Sequence, residues 1–363
     1  MKILHAVLSR GFYGSERYCG ELAAAQARDG HDVEVLVHDG WSDCAREMRK
    51  LIGEANPVGA GTMTLSAIPG WAPALLHRAL ARRALRRFRP DVVHTHLNPA
   101  ARRVGREAQR LAIPHVATLH LSYAPREVGD CEGLVCIAEW QRATLGDYCG
   151  EVAVVHNWLP SAVANALSTT TGEQVVALRQ SWRAGEKTFV FGSVGRLMPE
   201  KGMDRLIRAF RAAFAPGENV ALVIAGAGPQ QAELARLAAG DPRIVLAGAQ
   251  ENVAPFYLAF DAFVSAARFE PFGLAILEAM AAECPLVLTR TQGPPEFATD
   301  ERVLWVEAED DGMLAARLRE AQARGWQRYR YDLKKFTQER AALEIEAFYR
   351  RIIARRRAQA QSA

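Results

Sequence analysis

Short apolar runs alternate with amphipathic stretches along the whole chain, which is the pattern of buried parallel strands joined by helices. In the N-terminal half, a helix is predicted from Glu16 to Arg28, between the first two strands. Residues 40–70 have weak periodicity with scattered glycine and proline, and we expect loops there. The predicted strands are residues 2–8, 31–38, 91–96, 114–120, 134–138 and 152–156. The pattern predicts a doubly wound α/β domain over residues 1–160.

The same alternation resumes after a polar stretch that follows residue 160, and it predicts a second α/β domain over residues 161–335. From about Trp326 the tail predicts a helix that ends in basic residues, and residues 336–363 form its last part. The predicted strands of this half are residues 188–194, 220–225, 244–247, 261–265 and 285–289. Two domains of ordinary size, each able to bury a core, suit a chain of 363 residues.

Two carboxylates eight positions apart, Glu270 and Glu278, mark the stretch between the last two of these strands. Apolar residues recur at helical spacing after Pro271, so Glu270 is predicted in a loop and Glu278 inside the helix that follows. The amides that would begin this helix are those of Phe272, Gly273 and Leu274. Such amides attract anions, and strand, loop and helix in this order bind phosphates. The alternative interpretation is that Glu270 is an ordinary loop carboxylate and that Glu278 lies on a solvated helix face.

A second candidate anion site lies in the segment Gly195–Gly202, GRLMPEKG, at the end of the first strand of this half. Arg196 and Lys201 bracket the turn into the next helix, and two cations beside helix amides suit a phosphate. The order of residues is not that of a Walker A loop. A pair of surface cations is the alternative.

Three histidines end strands of the N-terminal half. His120 closes the strand that begins near Pro114, which would place its imidazole at the carboxyl edge of the sheet, where ligands bind. His94 and His96 end the preceding strand. An HxH pair can ligate a metal, but no third ligand is evident nearby in the sequence, so we predict no metal site. Histidines that bond backbone groups at a strand end are the alternative.

The run Glu270–Met280, EPFGLAILEAM, resembles the Glu-x7-Glu motif of the retaining nucleotide-sugar glycosyltransferases of family four. The segment at 195–202 resembles the diphosphate motif of that family, and Gly226–Pro229 resembles its G-x-G-P turn. The resemblance extends over nearly the whole chain. It implies the GT-B fold, in which two doubly wound Rossmann-like domains face a central cleft and the last helix crosses back to the N-terminal domain.

The sequence departs from the family pattern at some positions. Tyr13 stands for the first glycine of a Gly-Gly-x-Glu motif, so that only Gly14 and Glu16 match, and Glu283 stands where a glycine is usual.

The resemblance also implies roles for individual residues. Arg196 and Lys201 would neutralise the diphosphate, helped by the amides of Phe272, Gly273 and Leu274, while Glu278 would bind the ribose. Glu270 and His120 would contact the donor sugar, which makes His120, Glu270, Arg196 and Lys201 the expected catalytic set. Further donor contacts are expected at Gly14, Gly226 and Asn252. No Asp-x-Asp motif occurs, so we predict a metal-independent enzyme whose only small-molecule requirement is its nucleotide diphosphate-sugar donor.

Charge and cysteine usage narrow the partners and the location. Five arginines between Arg82 and Arg89 lie on one amphipathic stretch, which predicts either an anionic membrane surface as a partner or a solvated helix. No nucleic-acid recognition motif accompanies them. The six cysteines form no CxxC pair and no apolar signal follows Met1, so we expect a cytoplasmic protein, with peripheral binding to the inner face of the cytoplasmic membrane if the arginines bind lipid.

Together these features predict a retaining hexosyltransferase that uses a UDP- or GDP-linked sugar. The acceptor would be an envelope glycan or glycolipid such as lipopolysaccharide core. A nucleotide-sugar 2-epimerase, a glycosyl phosphorylase or a non-catalytic nucleotide-sugar-binding protein are the alternatives. The phosphorylase would need a lysine suited to pyridoxal phosphate, and no motif indicates one. The sugar, the base and the acceptor stay open.

Overall fold

The chain forms two compact α/β units in a computed structural model that describes residues 1–55, 61–325 and 327–362. Unit 1 comprises Met1–Trp158 together with Phe336–Ala363, and unit 2 comprises Leu159–Lys335. Each unit contains one parallel sheet with helices between its strands. The predicted class, two doubly wound α/β units, is confirmed. Among the described helices, none is both long and apolar enough to cross a membrane.

Unit 1 is built on a seven-stranded sheet in the order β3-β2-β1-β4-β5-β6-β7. Its strands are β1 (Lys2–Val7), β2 (Asp32–Val37), β3 (Met63–Ala67), β4 (Val92–His96), β5 (His115–Leu119), β6 (Gly133–Cys136) and β7 (Glu151–Val154). Its first helices are α1 (Gly14–Arg28), α2 (Asp43–Ala55), α3 (Ala74–Phe88), α4 (Asn98–Ala100), α5 (Arg106–Arg110), α6 (Pro125–Val128) and α7 (Glu139–Ala143), and the π-helical turn Ala101–Gly105 joins α4 to α5. The central strands are buried on both faces, which explains their continuous apolar runs.

The prediction of loops over residues 40–70 is wrong, because α2 and β3 lie there. Helix α2 buries only a narrow stripe that includes Cys44, Ala45 and Met48, so most of its positions are polar. Strand β3 is an edge strand of which only Met63 is fully buried, so its alternation is faint. Residues 56–60, which supplied part of the glycine and proline signal, lie outside the described part of the chain.

Unit 2 is built on a six-stranded sheet in the order β10-β9-β8-β11-β12-β13. Its strands are β8 (Phe189–Val194), β9 (Val220–Ala225), β10 (Ile244–Gly248), β11 (Ala262–Ser265), β12 (Leu286–Thr289) and β13 (Leu304–Val306). Its helices are α8 (Ser161–Thr169), α9 (Gly172–Ser181), α10 (Met203–Ala213), α11 (Gln231–Ala238), α12 (Ala254–Ala259), α13 (Leu274–Ala281) and α14 (Asp311–Arg324), with 3-10 turns at Pro199–Lys201 and Pro294–Glu296. Phe191, Phe210 and Phe214 form the aromatic centre of the core.

The last helix, α15 (Gln338–Ser362), belongs to unit 1 and buries Phe348, Tyr349 and Ile352 completely. The helix starts later than predicted, since residues 327–337 contain no helix, while Trp326 lies outside the described residues. An extended segment is favoured there because the Arg328 guanidinium donates hydrogen bonds to four backbone carbonyls of unit 2.

Candidate functional site

The candidate phosphate site of unit 2 lies where the winding of its sheet reverses. From β8 the sheet continues through β9 and β10 on one side, and through β11, β12 and β13 on the other. The connections that follow β8 and β11 therefore lead to opposite sides of the sheet from neighbouring points on its carboxyl edge. Ligands of open α/β sheets bind at such a switch point. Lys201 lies in the first of these loops and Glu270 in the second.

The loop after β8 is fixed by backbone contacts with the loop after β9. The Leu197 amide donates to the Ala227 carbonyl at 2.9 Å, and the Leu197 carbonyl accepts from the Gln230 amide at 3.0 Å. Gly226 has φ 149°, and a Cβ atom there would lie 1.8 Å from the carbonyl oxygen of Gly195. The predicted G-x-G-P turn is therefore needed for close packing, and its contact with a nucleotide stays a prediction. Arg196 is exposed at the beginning of the loop.

The loops after β8 and β11 are also tied to each other. Gly202 has φ 64°, and a Cβ atom there would lie 1.9 Å from the carbonyl oxygen of Ala266. The Arg268 amide donates to the Glu200 carbonyl at 2.8 Å, and the Arg268 guanidinium donates to both carboxylate oxygens of Asp204, at 2.8 and 2.9 Å. These contacts give the two candidate loops a fixed mutual position.

Lys201 and Glu270, predicted from two separate motifs, form an ion pair at this position. Lys201 Nζ donates to Glu270 Oε2 at 2.5 Å, and the two side chains are only 23% and 12% exposed. The backbone of Glu270 is held as well, because its amide donates to Gln292 Oε1 and its carbonyl accepts from the Gly293 amide. Lys201 is therefore not a freely solvated surface cation, whereas Arg196 is exposed.

Helix α13 follows this loop and carries Glu278. It begins at Leu274, with Gly273 as its N-cap residue at φ 109°, so the first amides of the helix have no acceptor within it. Phe272 is buried and stacks on Phe297, with 4.8 Å between the ring centroids. Glu278 is 7% exposed, which excludes the solvated-face interpretation.

A tyrosine that the sequence analysis did not single out supports this carboxylate. Tyr257 in α12 is fully buried, and its hydroxyl group donates a hydrogen bond to Glu278 Oε2 at 2.7 Å. A single polar side chain in the otherwise apolar stretch at 256–260 is the signal that could have identified it. The contact fixes one oxygen of the carboxylate, which orients the group that the prediction assigns to the ribose.

Two other predicted residues have local structural contacts. Asn252 is exposed, and its Oδ1 accepts from the Ala254 amide at 3.1 Å in front of α12. Gly14 is the exposed first residue of α1, and the Glu16 carboxylate accepts from the Tyr13 amide at 3.0 Å to close the first turn. Their contacts with a donor stay predictions.

In unit 1 the winding of the sheet reverses between β1 and β4, and histidines gather at this place. His5 of β1 pairs in register with His94 of β4, so a third imidazole that was not evident near His94 and His96 in the sequence lies beside them in the fold. Nitrogen atoms of the three rings lie within 4.8 Å of one another. The sequence separation of the two strands concealed this proximity.

The nitrogen atoms of these three histidines also have side-chain partners at hydrogen-bond distance. His94 contacts the Tyr349 hydroxyl at 2.5 Å and the Thr118 hydroxyl at 2.6 Å. Both nitrogens of His5 and both of His96 also have hydrogen-bond partners, one of which is His120. His120 directly follows β5, as predicted, and it packs edge-on against Tyr18, with 5.0 Å between the ring centroids.

Comparison with known proteins identifies two family matches in this chain. Residues 12–162 match the model described as Glycosyltransferase Family 4, and residues 188–323 match the model described as Glycosyl transferases group 1. The first match lies in unit 1 except for its last four residues, and the second match lies within unit 2.

Among curated proteins, the chain is 36% identical to a lipopolysaccharide core biosynthesis glycosyltransferase, LpsE of Rhizobium meliloti, over 146 residues, which are 39% of this chain and 42% of LpsE. It is also 36% identical to a GDP-mannose-dependent alpha-mannosyltransferase of Corynebacterium glutamicum over 131 residues, 36% of this chain and 30% of the relative. The chain thus spans less than half the length of either relative.

A solved structure resembles the chain over its whole length. The structure of HepE from Anabaena, in complex with UDP and glucose, superposes with a TM-score of 0.72 and covers 100% of both chains at 18% sequence identity. At this identity the likeness concerns the fold, and it confirms the GT-B fold predicted from the sequence.

Proposed function

Because the chain belongs to the group 1 glycosyltransferases of family 4, we propose that it transfers a hexose from a nucleotide diphosphate-sugar to an envelope glycan or glycolipid. The observation that carries the proposal is the ion pair of Lys201 and Glu270 at the switch point of unit 2. In this pair a cation of the kind that suits a diphosphate contacts a carboxylate of the kind that suits sugar hydroxyls, and the carboxylate lies in the loop before α13.

The proposed chemistry stabilises the leaving group. The bond between the anomeric carbon and the diphosphate oxygen breaks, a bond from that carbon to the acceptor oxygen forms, and the acceptor proton passes to the departing phosphate. Lys201, Arg196 and the first amides of α13 would stabilise the negative charge that develops on the diphosphate. Glu278, oriented by Tyr257, would accept hydrogen bonds from the ribose. Attack on the face that the diphosphate leaves would retain the anomeric configuration.

We propose that the reaction needs no metal ion, since two side-chain cations and a helix N-terminus supply the positive charge. Activity that EDTA abolishes and Mg2+ restores would contradict this. His120 of unit 1 is proposed to contact the donor sugar, and Gly14, Gly226 and Asn252 are proposed to border the donor.

The decisive experiment measures donor turnover in variants of the two cations. Lys201→Ala and Arg196→Ala should each reduce kcat/KM by more than tenfold, a loss of about 1.4 kcal/mol in transition-state stabilisation. Lys187→Ala is the matched control, because this exposed lysine precedes β8 at the opposite edge of the same sheet. Turnover within about tenfold of wild type in either cation variant would refute the diphosphate assignment. Incubation of donor alone distinguishes a transferase, which hydrolyses it slowly, from an epimerase, which isomerises it.

The donor base and the acceptor are proposed from the relatives. The two curated relatives act in lipopolysaccharide core synthesis and with GDP-mannose, and HepE binds UDP and glucose. Thermal shifts with UDP, GDP and their sugars would identify the base, because a ligand that binds the folded state stabilises it by mass action. An envelope acceptor fits a cytoplasmic enzyme that binds peripherally to the membrane, and α3 is the proposed membrane contact.

A further inference from the structure

A continuous line of hydrogen-bonded side chains runs through unit 1 from α1 to His120. Gln26 Oε1 lies 2.7 Å from His5 Nε2, His5 Nδ1 lies 3.0 Å from His96 Nε2, and His96 Nδ1 lies 3.2 Å from His120 Nε2. Gln26, His5 and His96 are all 0% exposed, while His120 is half-buried at the carboxyl edge of the sheet. The line therefore connects a buried amide with a candidate sugar-binding imidazole.

The three imidazoles in this line are neutral at physiological pH. Burial lowers the pKa of His5 to about 4 and that of His120 to about 3, and it lowers the pKa of His96 well below its usual value. A neutral imidazole has one N–H donor and one acceptor nitrogen. In a line of such rings the N–H of one ring must face the acceptor nitrogen of the next. The tautomer of the histidine at the buried end therefore determines the tautomers of all the others.

Gln26 determines the tautomer of His5, because its side-chain carbonyl oxygen can only accept a hydrogen bond from His5 Nε2. His5 therefore carries its proton on Nε2 and offers Nδ1 as an acceptor. His96 donates from Nε2 to that nitrogen and in turn accepts at Nδ1, so His120 donates from Nε2. The tautomer of His120 that satisfies the whole line has a proton on Nε2 and a lone pair on Nδ1.

We propose that Gln26, His5 and His96 are positioning residues that fix His120 as the Nε2–H tautomer, so that Nδ1 accepts a hydrogen bond from a hydroxyl group of the donor sugar. The tautomer follows from unit 1 alone, whereas the sugar contact rests on the proposed function. A hydroxyl group is the suitable partner because an acceptor nitrogen binds a donor, and sugar hydroxyls donate.

The test is a long-range 1H–15N correlation spectrum of the full chain with 15N-labelled histidine, recorded without any nucleotide sugar. The chain has nine histidines, and the spectrum of His120→Asn assigns the signal of interest. Wild-type protein should show His120 as the Nε2–H tautomer. In Gln26→Leu, which removes the acceptor, His120 should become a mixture of both tautomers.

Thr95→Val is the matched control. Thr95 is 1% exposed in β4 and its hydroxyl pairs with His115 at 2.8 Å, so the variant removes an equally buried hydrogen bond outside the line. It should keep the wild-type tautomer at His120. The proposal is overturned if His120 is the Nδ1–H tautomer in wild-type protein, or if its tautomer is unchanged in Gln26→Leu. The first of these outcomes is read from the wild-type spectrum, so it can be decided even if the variant fails to fold.

Turnover separates this inference from the proposed function. An inactive chain with the Nε2–H tautomer would refute the transferase and leave the tautomer intact. In an active enzyme, Gln26→Leu should reduce kcat/KM by about tenfold and Thr95→Val by less than twofold. Equal losses in both variants would show that Gln26 contributes only to folding, which contradicts a positioning role.

Discussion

Asp204 occupies the first turn of α10 and connects the two loops of the candidate phosphate site. It is 5% exposed, and its carboxylate accepts two hydrogen bonds from Arg268 and one from Arg208 at 2.6 Å. Burial by itself would raise the pKa of Asp204, but the hydrogen bonds from Arg268 and Arg208 outweigh it and lower the pKa to about 2. The side chain also suits its place, because a negative charge is favourable at a helix N-terminus.

This residue should make stability depend on pH. A pKa that falls from 3.8 to about 2 on folding corresponds to about 2 kcal/mol in favour of the folded state above pH 4. Asp204→Asn should lose this amount at pH 7. The difference from wild type should shrink as the pH falls from about 4 through about 2, because below that pH the carboxylate is protonated in both the folded and the unfolded state. Urea unfolding at a series of pH values measures it.

Glu301→Gln is the control for that series, because Glu301 is exposed and a change there should shift stability by less than about 0.5 kcal/mol at any pH. A constant difference between Asp204→Asn and wild type over the acidic range would show that the loss comes from packing and not from ionisation.

At the scale of single residues, motifs in the sequence predicted candidates but not their contacts. Lys201 and Glu270 came from separate motifs 69 positions apart, and only the order of the strands brings them together. The pairing of Tyr257 with Glu278 and of His5 with His96 depends on tertiary structure in the same way. Glu283, which stands where the family has a glycine, has φ 58°, a conformation that glycine adopts without strain.

Helix α3 shows how the structure divides one basic stretch into two sets of arginines. Arg78 and Arg82 bind the buried carboxylate of Glu107, and Arg87 binds that of Glu34. These three arginines stabilise unit 1 and are not wholly available to lipid. The exposed remainder is Arg83, Arg86 and Arg89.

Exposed apolar side chains accompany these three arginines. Trp71 and Leu75, just before and at the start of α3, are each 78% exposed. Trp41, which follows strand β2, the partner of β3 in the sheet, is 94% exposed. Exposed tryptophan, leucine and arginine residues are typical of helices that lie in a membrane interface, which is the basis for the proposed docking through α3.

Liposome flotation tests this surface. Each arginine near an anionic surface contributes about 1 kcal/mol, so reversing Arg83, Arg86 and Arg89 to glutamate should weaken binding to vesicles with anionic lipid on the order of a hundredfold. The control reverses three exposed arginines of unit 2, which are Arg183, Arg236 and Arg330. If this control weakens flotation equally, net charge and not α3 governs binding, and the proposed docking surface is wrong.

At the scale of elements, the buried strands were the most predictable feature, because strands covered on both faces are apolar throughout. Helix α2 and strand β3 were missed because each buries few side chains at an edge of the sheet. The start of α15 was placed too early because the contacts of Arg328 with backbone carbonyls cannot be read from local composition.

At the scale of the molecule, unit 1 is assembled from both ends of the chain. Helix α15 packs against the sheet that residues 2–154 form, and Gly133 of β6 permits the contact, because a Cβ atom there would lie 2.7 Å from the ring of Phe348. Gln338 and Tyr349 of the same region reach Glu21 and His94. Unit 2, in contrast, is one continuous segment.

Phe348→Ala should therefore destabilise strands that lie two hundred residues earlier in the sequence. Removal of a fully buried phenylalanine costs about 3–5 kcal/mol, so the slowest amide hydrogens of β5 and β6 should exchange much faster, while those of β9 in unit 2 should not change. Leu343→Ala changes a side chain on the same helix that is 59% exposed, so it should leave the exchange rates of both units unchanged. Hydrogen exchange followed by mass spectrometry measures each unit separately, and equal acceleration in β9 would contradict this prediction.

The discontinuity of unit 1 has a consequence for synthesis on the ribosome. Domains generally fold as units while the chain emerges, and a continuous unit can do so as soon as its last residue is free. Unit 2 meets that condition once residue 335 has left the exit tunnel, whereas the sheet of unit 1, although translated first, still lacks the aromatic side chains of α15. We expect the later segment to reach its native state before the earlier one, with unit 1 dependent on chaperones in the interval.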